Sequence, residues 1–295
     1  MTFATSNSSR RWTAIVVAAC VLAPFGVSAR TAKLVVKPAP RPPPSTYVLD
    51  MDMGNVRVSD RAEVVRPIAS LTKLMTAMVL LDAKADLERT VTYNPKQHYA
   101  YKNWMRFGRG DKLRGRDLFL AMLIGSQNIP ARMLVDLTPS SEAQFIAAMN
   151  VKAAALGLTQ TRFVDVHGLS SKNTSTAPEI ARLLDTALTY PDIADALVRS
   201  EATVVWQTHR GKRQERLFHH TNTLLQRQQR FATEASKTGY LDEAGDTIAM
   251  RIRDPKSGRR FIVVSLGEPR RALRFPLAKR LAESALRGQR IAATE

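Results

Sequence analysis

The sequence has 295 residues, 44 of them Lys or Arg and 26 Asp or Glu, for a formal net charge of +18. Hydrophobic residues make up 44%, enough for a packed core, which excludes a disordered chain. A single cysteine excludes a disulfide framework and a cysteine-based zinc cluster, and no apolar run of membrane-spanning length follows the first thirty residues.

Residues 1–29 read as an export signal: Arg10 and Arg11 precede an apolar stretch at 12–25, and Val27-Ser28-Ala29 offers a small-x-small cleavage site. An uncleaved anchor is the competing reading, weakened by the short stretch and by Pro24. Cys20, after Val17-Ala18-Ala19, has a faint lipoprotein-box context, but the apolar run continues past it. Arg10 and Arg11 are the only charged residues before the cleavage site, so cleavage would lower the net charge to +16 and leave no cysteine. Residues 30–44 form a proline-rich tether whose KPAPRPPP segment (37–44) favours extended polyproline II. The folded domain is expected over 45–295.

Residues 46–52 and 55–58 alternate around Met53-Gly54-Asn55 and predict a β-hairpin. Residues 70–83 predict a helix with Leu71, Leu74, Met75, Met78 and Val79 on one face, and the nearly all-apolar 117–124 predicts a buried helix. Ser141 with Gln144 forms a capping-box start for a helix running toward Gly157. Thr176-Ala177-Pro178-Glu179 forms another helix start, with Pro178 in the first turn. Between the two strand groups the periodicity is helical. Residues 234–241 then predict a strand, 247–253 and 260–266 a hairpin across Asp254–Gly258, and 275–287 a closing helix. There is no internal repeat. The fold class is α+β: an antiparallel sheet built from both chain ends with an inserted helical region, one folding unit.

Ser70-Leu71-Thr72-Lys73 is the only Ser-x-x-Lys in the chain. On a helix, positions three apart share a face, so Lys73 can reach the Ser70 hydroxyl. Serine needs a base to become a nucleophile, and lysine serves only if its pKa is lowered by burial or a neighbouring cation. A helix start adds free N–H groups and a positive dipole end for a developing oxyanion. Alone the motif is weak, since about half of chains this size would contain one. Its company gives it weight: Ser126-Gln127-Asn128 follows the buried helix, and Lys237-Thr238-Gly239 lies in the first C-terminal strand. Two similar triplets are set aside. Lys256-Ser257-Gly258 would sit at a hairpin tip, and Ser171-Lys172-Asn173 lies in a polar loop with no preceding buried helix to hold it.

Ser-x-x-Lys, Ser-x-Asn and Lys-Thr-Gly in that order are the signature of penicillin-recognising serine enzymes. With residues 67–82, 165–181 and 222–245, they make the chain resemble a low-molecular-mass penicillin-binding protein of the D-alanyl-D-alanine peptidase family. The resemblance runs from about residue 45 to 270, and is strongest to the endopeptidase branch around Ser70 and Lys237. It implies a β-lactamase/penicillin-binding-protein-like fold without the added β-rich domain and amphipathic anchor of the carboxypeptidase branch. One departure stands out: Ile129-Pro130-Ala131 follows Asn128, where the family often has two alanines.

The resemblance further implies that Ser70 is acylated by a D-Ala carbonyl and that Lys73 takes its proton. Ser126 relays a proton to the leaving amine while Asn128 holds the substrate amide. Lys237 and Thr238 bind the substrate carboxylate or polar groups of the stem peptide, Gly239 gives the substrate backbone room, and the N–H groups of Ser70 and Tyr240 form the oxyanion hole. Partners would be peptidoglycan and β-lactams. The Asp165–Asn173 loop has no glutamate to act as a deacylating base, so slow β-lactam release is expected. A β-lactamase-like hydrolase and a non-catalytic wall-binding protein of the same fold remain as alternatives.

The five histidines form no spaced metal set, and no metal or cofactor is expected; His219-His220 reads as a strand-end or loop pair. The basic residues are scattered and belong to no nucleic-acid module, so anionic wall polymers, not nucleic acid, are the expected partner of the charge. A loose electrostatic association with wall or membrane would follow, with no integral membrane segment after cleavage, in the periplasmic or cell-wall space. The densest basic stretch, 102–116, reads either as a solvated loop or as a glycan-facing lip.

Overall fold

A computed structural model describes residues 42–101 and 104–288, apart from the side chain of Gln226. The expected signal peptide, Cys20 and the tether up to Arg41 lie outside the described residues. No described helix is long and apolar enough to cross a membrane.

The chain opens with β1 (Ser45–Asp50), β2 (Asn55–Asp60) and the short β3 (Arg66–Pro67). A 3₁₀ turn at Ala69–Leu71 leads into α1 (Thr72–Asp82). Next come β4 (Thr90–Thr92), α2 (Pro95–His98), β5 (Lys112–Arg114), α3 (Gly115–Leu123) and α4 (Asn128–Val135). They are followed by α5 (Glu142–Ala155), β6 (Thr174–Ser175), α6 (Ala177–Ala187) and α7 (Pro191–Val198). The rest comprises β7 (Glu201–Gln207), β8 (Arg213–His219), β9 (Ala232–Leu241), β10 (Gly245–Arg253), β11 (Arg260–Glu268) and α8 (Arg274–Leu286).

The main sheet has the order β2-β1-β11-β10-β9, all antiparallel, and so joins both chain ends as the sequence implied. Alternate residues face opposite sides. Val48, Ile248, Met250, Ile252, Phe261 and Val263 pack on one face with Ala278, Leu281, Ala282 and Ala285 of α8. Ala249, Ile262, Val264 and Leu266 point the other way, into the larger core of the helical region. The sheet is thus a buried middle layer. Both hairpin turns place a glycine in the left-handed region, Gly54 (φ 64°) and Gly258 (φ 75°).

The inserted region contains strands that periodicity does not reveal. β4, β5, β7 and β8 form a second, four-stranded sheet. The first two have three residues each, and β8 carries Arg213, Glu215 and Arg216, so neither offers an apolar alternation. α1 also differs from expectation. It is buried all round rather than on one face, with Thr72, Lys73 and Thr76 enclosed along with its apolar residues. Such a helix forms the centre of a core rather than its margin. The capping box at Ser141 is present, with Gln144 N donating to Ser141 Oγ and Ser141 N to Gln144 Oε1.

Candidate active site

Ser70 does not sit inside the first helix but in the 3₁₀ turn just before it. Ala69 holds a left-handed φ of 49°, unusual for a residue with a Cβ and a mark of stored strain. Two glycines clamp this turn. A Cβ on Gly168 would stand 2.0 Å from the Ala69 carbonyl oxygen, and one on Gly239 would stand 2.7 Å from Ser70 N. The loop before β6 and strand β9 therefore press on the turn from separate parts of the chain.

Lys73, in the first turn of α1, is fully buried. Its Nζ lies 2.9 Å from Ser70 Oγ, 2.8 Å from Asn128 Oδ1 and 2.5 Å from the His167 carbonyl oxygen. Burial lowers its pKa to about 7, against the opposing pull of the Asp165 carboxylate. An amine so placed is neutral in a large fraction of molecules near neutral pH and can accept a hydroxyl proton.

Ser126 follows α3 at a left-handed φ of 55°. Gly125 allows the bend, since a Cβ there would meet the Phe218 ring at 2.5 Å. Gln127 N donates to Ala121 O at 3.0 Å, tying the loop to the helix. Asn128 begins α4, its Nδ2 donating to Tyr101 O at 3.1 Å while Oδ1 accepts from Lys73. Pro130 falls in the first turn, where its missing N–H has no helical partner to lose, so the departure at Ile129-Pro130-Ala131 leaves the helix start intact.

Lys237, in β9, is also fully buried, and its Nζ reaches Ser126 Oγ at 2.7 Å and Thr238 O at 3.0 Å. Burial, with Lys73 and Arg274 as neighbouring cations, pushes its pKa well below the usual lysine value. Thr238 Oγ1 bonds to Thr221 Oγ1 at 2.7 Å. Ser70, Ser126, Asn128, Thr238, Gly239 and Tyr240 line one cleft of about 260 Å³. Lys73 and Lys237 form its floor through their bonds to the two serines. All eight residues singled out in the three motifs and at Tyr240 thus converge.

Several residues of this site carried no sequence signal. Thr221, Arg271 and Arg274 complete the cleft wall, together with Trp104 of the 102–116 stretch. Arg274 pairs with Asp246 at 2.7 Å, and burial lowers its pKa. The loop containing Ser171-Lys172-Asn173 is not the loose segment the sequence suggested. Asn173 is fully buried, and its Nδ2 donates to Thr72 Oγ1 and Asp165 Oδ1. It fastens the loop that supplies the His167 carbonyl to Lys73. Burial opposes the charge on Asp165, but His167 and the N–H groups of Gly168 and Ser170 outweigh it and hold the carboxyl far below the usual range. Lys256-Ser257-Gly258 is a hairpin tip remote from the cleft lining. In the basic stretch, Arg114 and Arg116 are tied to Glu88, Asp117 and Asp192, whereas Trp104 stands at the cleft. Lys102 and Asn103 lie outside the described residues.

The profile of the D-alanyl-D-alanine carboxypeptidases matches residues 40–270. A D-alanyl-D-alanine endopeptidase of Pseudomonas aeruginosa is 34% identical over 221 residues, 75% of this chain and 70% of the relative. One of Haemophilus influenzae is 31% identical over 241 residues, 80% and 79% of the two chains. The crystal structure of a D-alanyl-D-alanine carboxypeptidase of Mycobacterium tuberculosis superposes with a TM-score of 0.72 at 26% identity, covering 84% of this chain and 93% of that one. With its matched length and its fold, the chain belongs to the D-alanyl-D-alanine carboxypeptidase family of serine peptidases.

Proposed function

We propose that this protein is an exported, serine-type D-Ala-D-Ala endopeptidase that opens peptidoglycan cross-links through an acyl-enzyme on Ser70. The observation that carries this reading is the pair of buried lysines, Lys73 bonded to Ser70 and Asn128, and Lys237 bonded to Ser126.

In this mechanism Ser70 Oγ attacks the D-Ala carbonyl carbon while its proton passes to Lys73 Nζ. The oxyanion forms against the N–H groups of Ser70 and Tyr240, which the close approach of β9 to the turn brings to one side of the cleft. The C–N bond then breaks, and the leaving amine takes a proton through the Ser126 hydroxyl. Asn128 holds the substrate amide. Lys237, Thr238 and Arg274 hold the carboxylate of the leaving residue, the guanidinium groups of Arg271 and Arg274 in the cleft wall favouring a negative group. Water attacks the ester, Lys73 takes its proton, and Ser70 regains its hydroxyl.

A β-lactam enters the same path, because its strained amide presents a carbonyl and a carboxylate in similar relation. The Asp165–Asn173 loop has Asp165 as its one acid, occupied by backbone N–H groups, which favours slow release over the β-lactamase reading. The basic surface would keep the enzyme loosely on anionic wall polymers in the periplasmic or cell-wall space.

The test is covalent labelling by a fluorescent penicillin. Wild-type protein should gain one adduct by mass and Ser70→Ala none; an undiminished signal from the variant refutes Ser70 as the nucleophile. Cross-linked muropeptide dimers compared with a pentapeptide then separate endopeptidase from carboxypeptidase action.

A further inference from the structure

Three arginines stand close together between β11 and the first turn of α8. Arg270 pairs with Glu268 at 3.8 Å, and Arg274 with Asp246 at 2.7 Å. Arg271 makes no ion pair with a carboxylate among the described residues, although it lines the cleft and is exposed. Its guanidinium instead lies over the Tyr240 ring, 5.4 Å from the centroid, and the Tyr240 hydroxyl is bonded to Asp242 at 2.7 Å. The ring holds the cation in place without neutralising it, leaving its N–H groups for a ligand.

We infer that Arg271 is an outer anion subsite that recognises a carboxylate of the second stem peptide, the one that leaves when a cross-link is cut. This rests on the reading proposed above. Arg274 lies deeper in the same segment, on the side where the leaving residue's own carboxylate binds, so Arg271 flanks the path by which a larger leaving group exits. Free D-alanine has one carboxylate, which the inner site takes. A stem peptide has more, and only they extend far enough to meet the outer cation. Arg271 therefore favours cross-links over pentapeptide tails without taking part in bond breaking.

Arg271→Gln keeps the size and polarity of an exposed side chain and removes its charge. One exposed ion pair is worth at most about 1 kcal/mol, or about fivefold. Cleavage of a cross-linked muropeptide dimer should fall by about that factor in kcat/KM, chiefly through KM. D-Ala release from a pentapeptide and acylation by fluorescent penicillin should fall by less than dimer cleavage does, and an unchanged thermal melt reports an intact fold. Amidating the carboxylates of the dimer's second strand other than the leaving residue's own should reproduce the loss in wild-type protein and add none in the variant. Equal losses on all three substrates, no loss on the dimer, or additive effects of amidation and substitution overturn the subsite. A wild-type protein that penicillin does not label overturns the parent reading and this one with it.

Discussion

Lys237 Nζ and Ser126 Oγ lie 2.7 Å apart although 111 residues separate them in the chain. The contact joins the C-terminal strand β9 to the loop between α3 and α4 and sets the width of the cleft. Removing the hydroxyl leaves the buried Lys237 amine short of a partner and interrupts the proposed proton relay. Ser126→Ala should lower the rate of β-lactam acylation by about 10²–10³, the usual scale for a positioned proton-transfer group. Stopped-flow quenching with a fluorescent penicillin measures it, and a rate within twofold of wild type would remove Ser126 from the relay.

The neutral form of Lys73 is the one that can accept a proton, so acylation should rise with pH and reach half its plateau near pH 7, the value to which burial lowers the amine. The same depression links to stability. Lys73 contributes stability above its unfolded value of 10.5; the contribution shrinks as pH falls and is gone below about 7. A pH profile of kcat/KM for acylation checks the kinetic statement, and an inflection left near 10 would contradict it.

Asp165 is the anion that opposes the lowering of the Lys73 pKa. Asp165→Asn removes that charge, so the acidic limb of the profile should move to lower pH. The loop should also weaken by about 1–3 kcal/mol, because the N–H groups now bonded to the carboxylate lose part of their acceptor. The profile and a thermal melt are independent readouts, and a limb moving upward would show that another group sets it.

Two glycines at similar backbone angles should respond very differently to alanine. Gly168 (φ 84°) has no room for a Cβ against the Ala69 carbonyl, whereas Gly258 (φ 75°) has nothing within 4 Å. Gly258→Ala should cost about 1–2 kcal/mol through its left-handed conformation alone and leave acylation unchanged. Gly168→Ala should cost about 2–4 kcal/mol and displace Ser70, reducing acylation well beyond what a melt explains. Urea unfolding beside penicillin labelling distinguishes the two, and equal behaviour would discount the clamp.

Much of this arrangement is legible before any coordinates. The hairpin around Gly54 shows by its alternation, and the one around Gly258 by two apolar runs, because β10 and β11 are buried on both faces. The three motifs announce Ser70, Lys73, Ser126, Asn128 and Lys237 because their chemistry demands particular residue types. What stays hidden has a physical reason. Arg274 at the start of α8 and Thr221 in a loop are ordinary polar residues, and only tertiary contact brings them to the cleft. Asn173 lies in a polar stretch that looks solvated, yet its amide bonds to five groups at once and becomes a core residue. The second sheet is masked because β4 and β5 are too short for a period and β8 is an edge strand with charged side chains.

The pairing of β1 with β11 has a bearing on biogenesis. Asp50 meets Arg259, 209 positions further along the chain, so β1 waits for β11, nearly the last strand, before its inner edge is closed. Because Lys237 and β9 are also made late, a nascent chain remains loose and chemically silent until translation is almost over. A polypeptide that cannot finish itself early keeps its cleft unassembled until the last strands have been made.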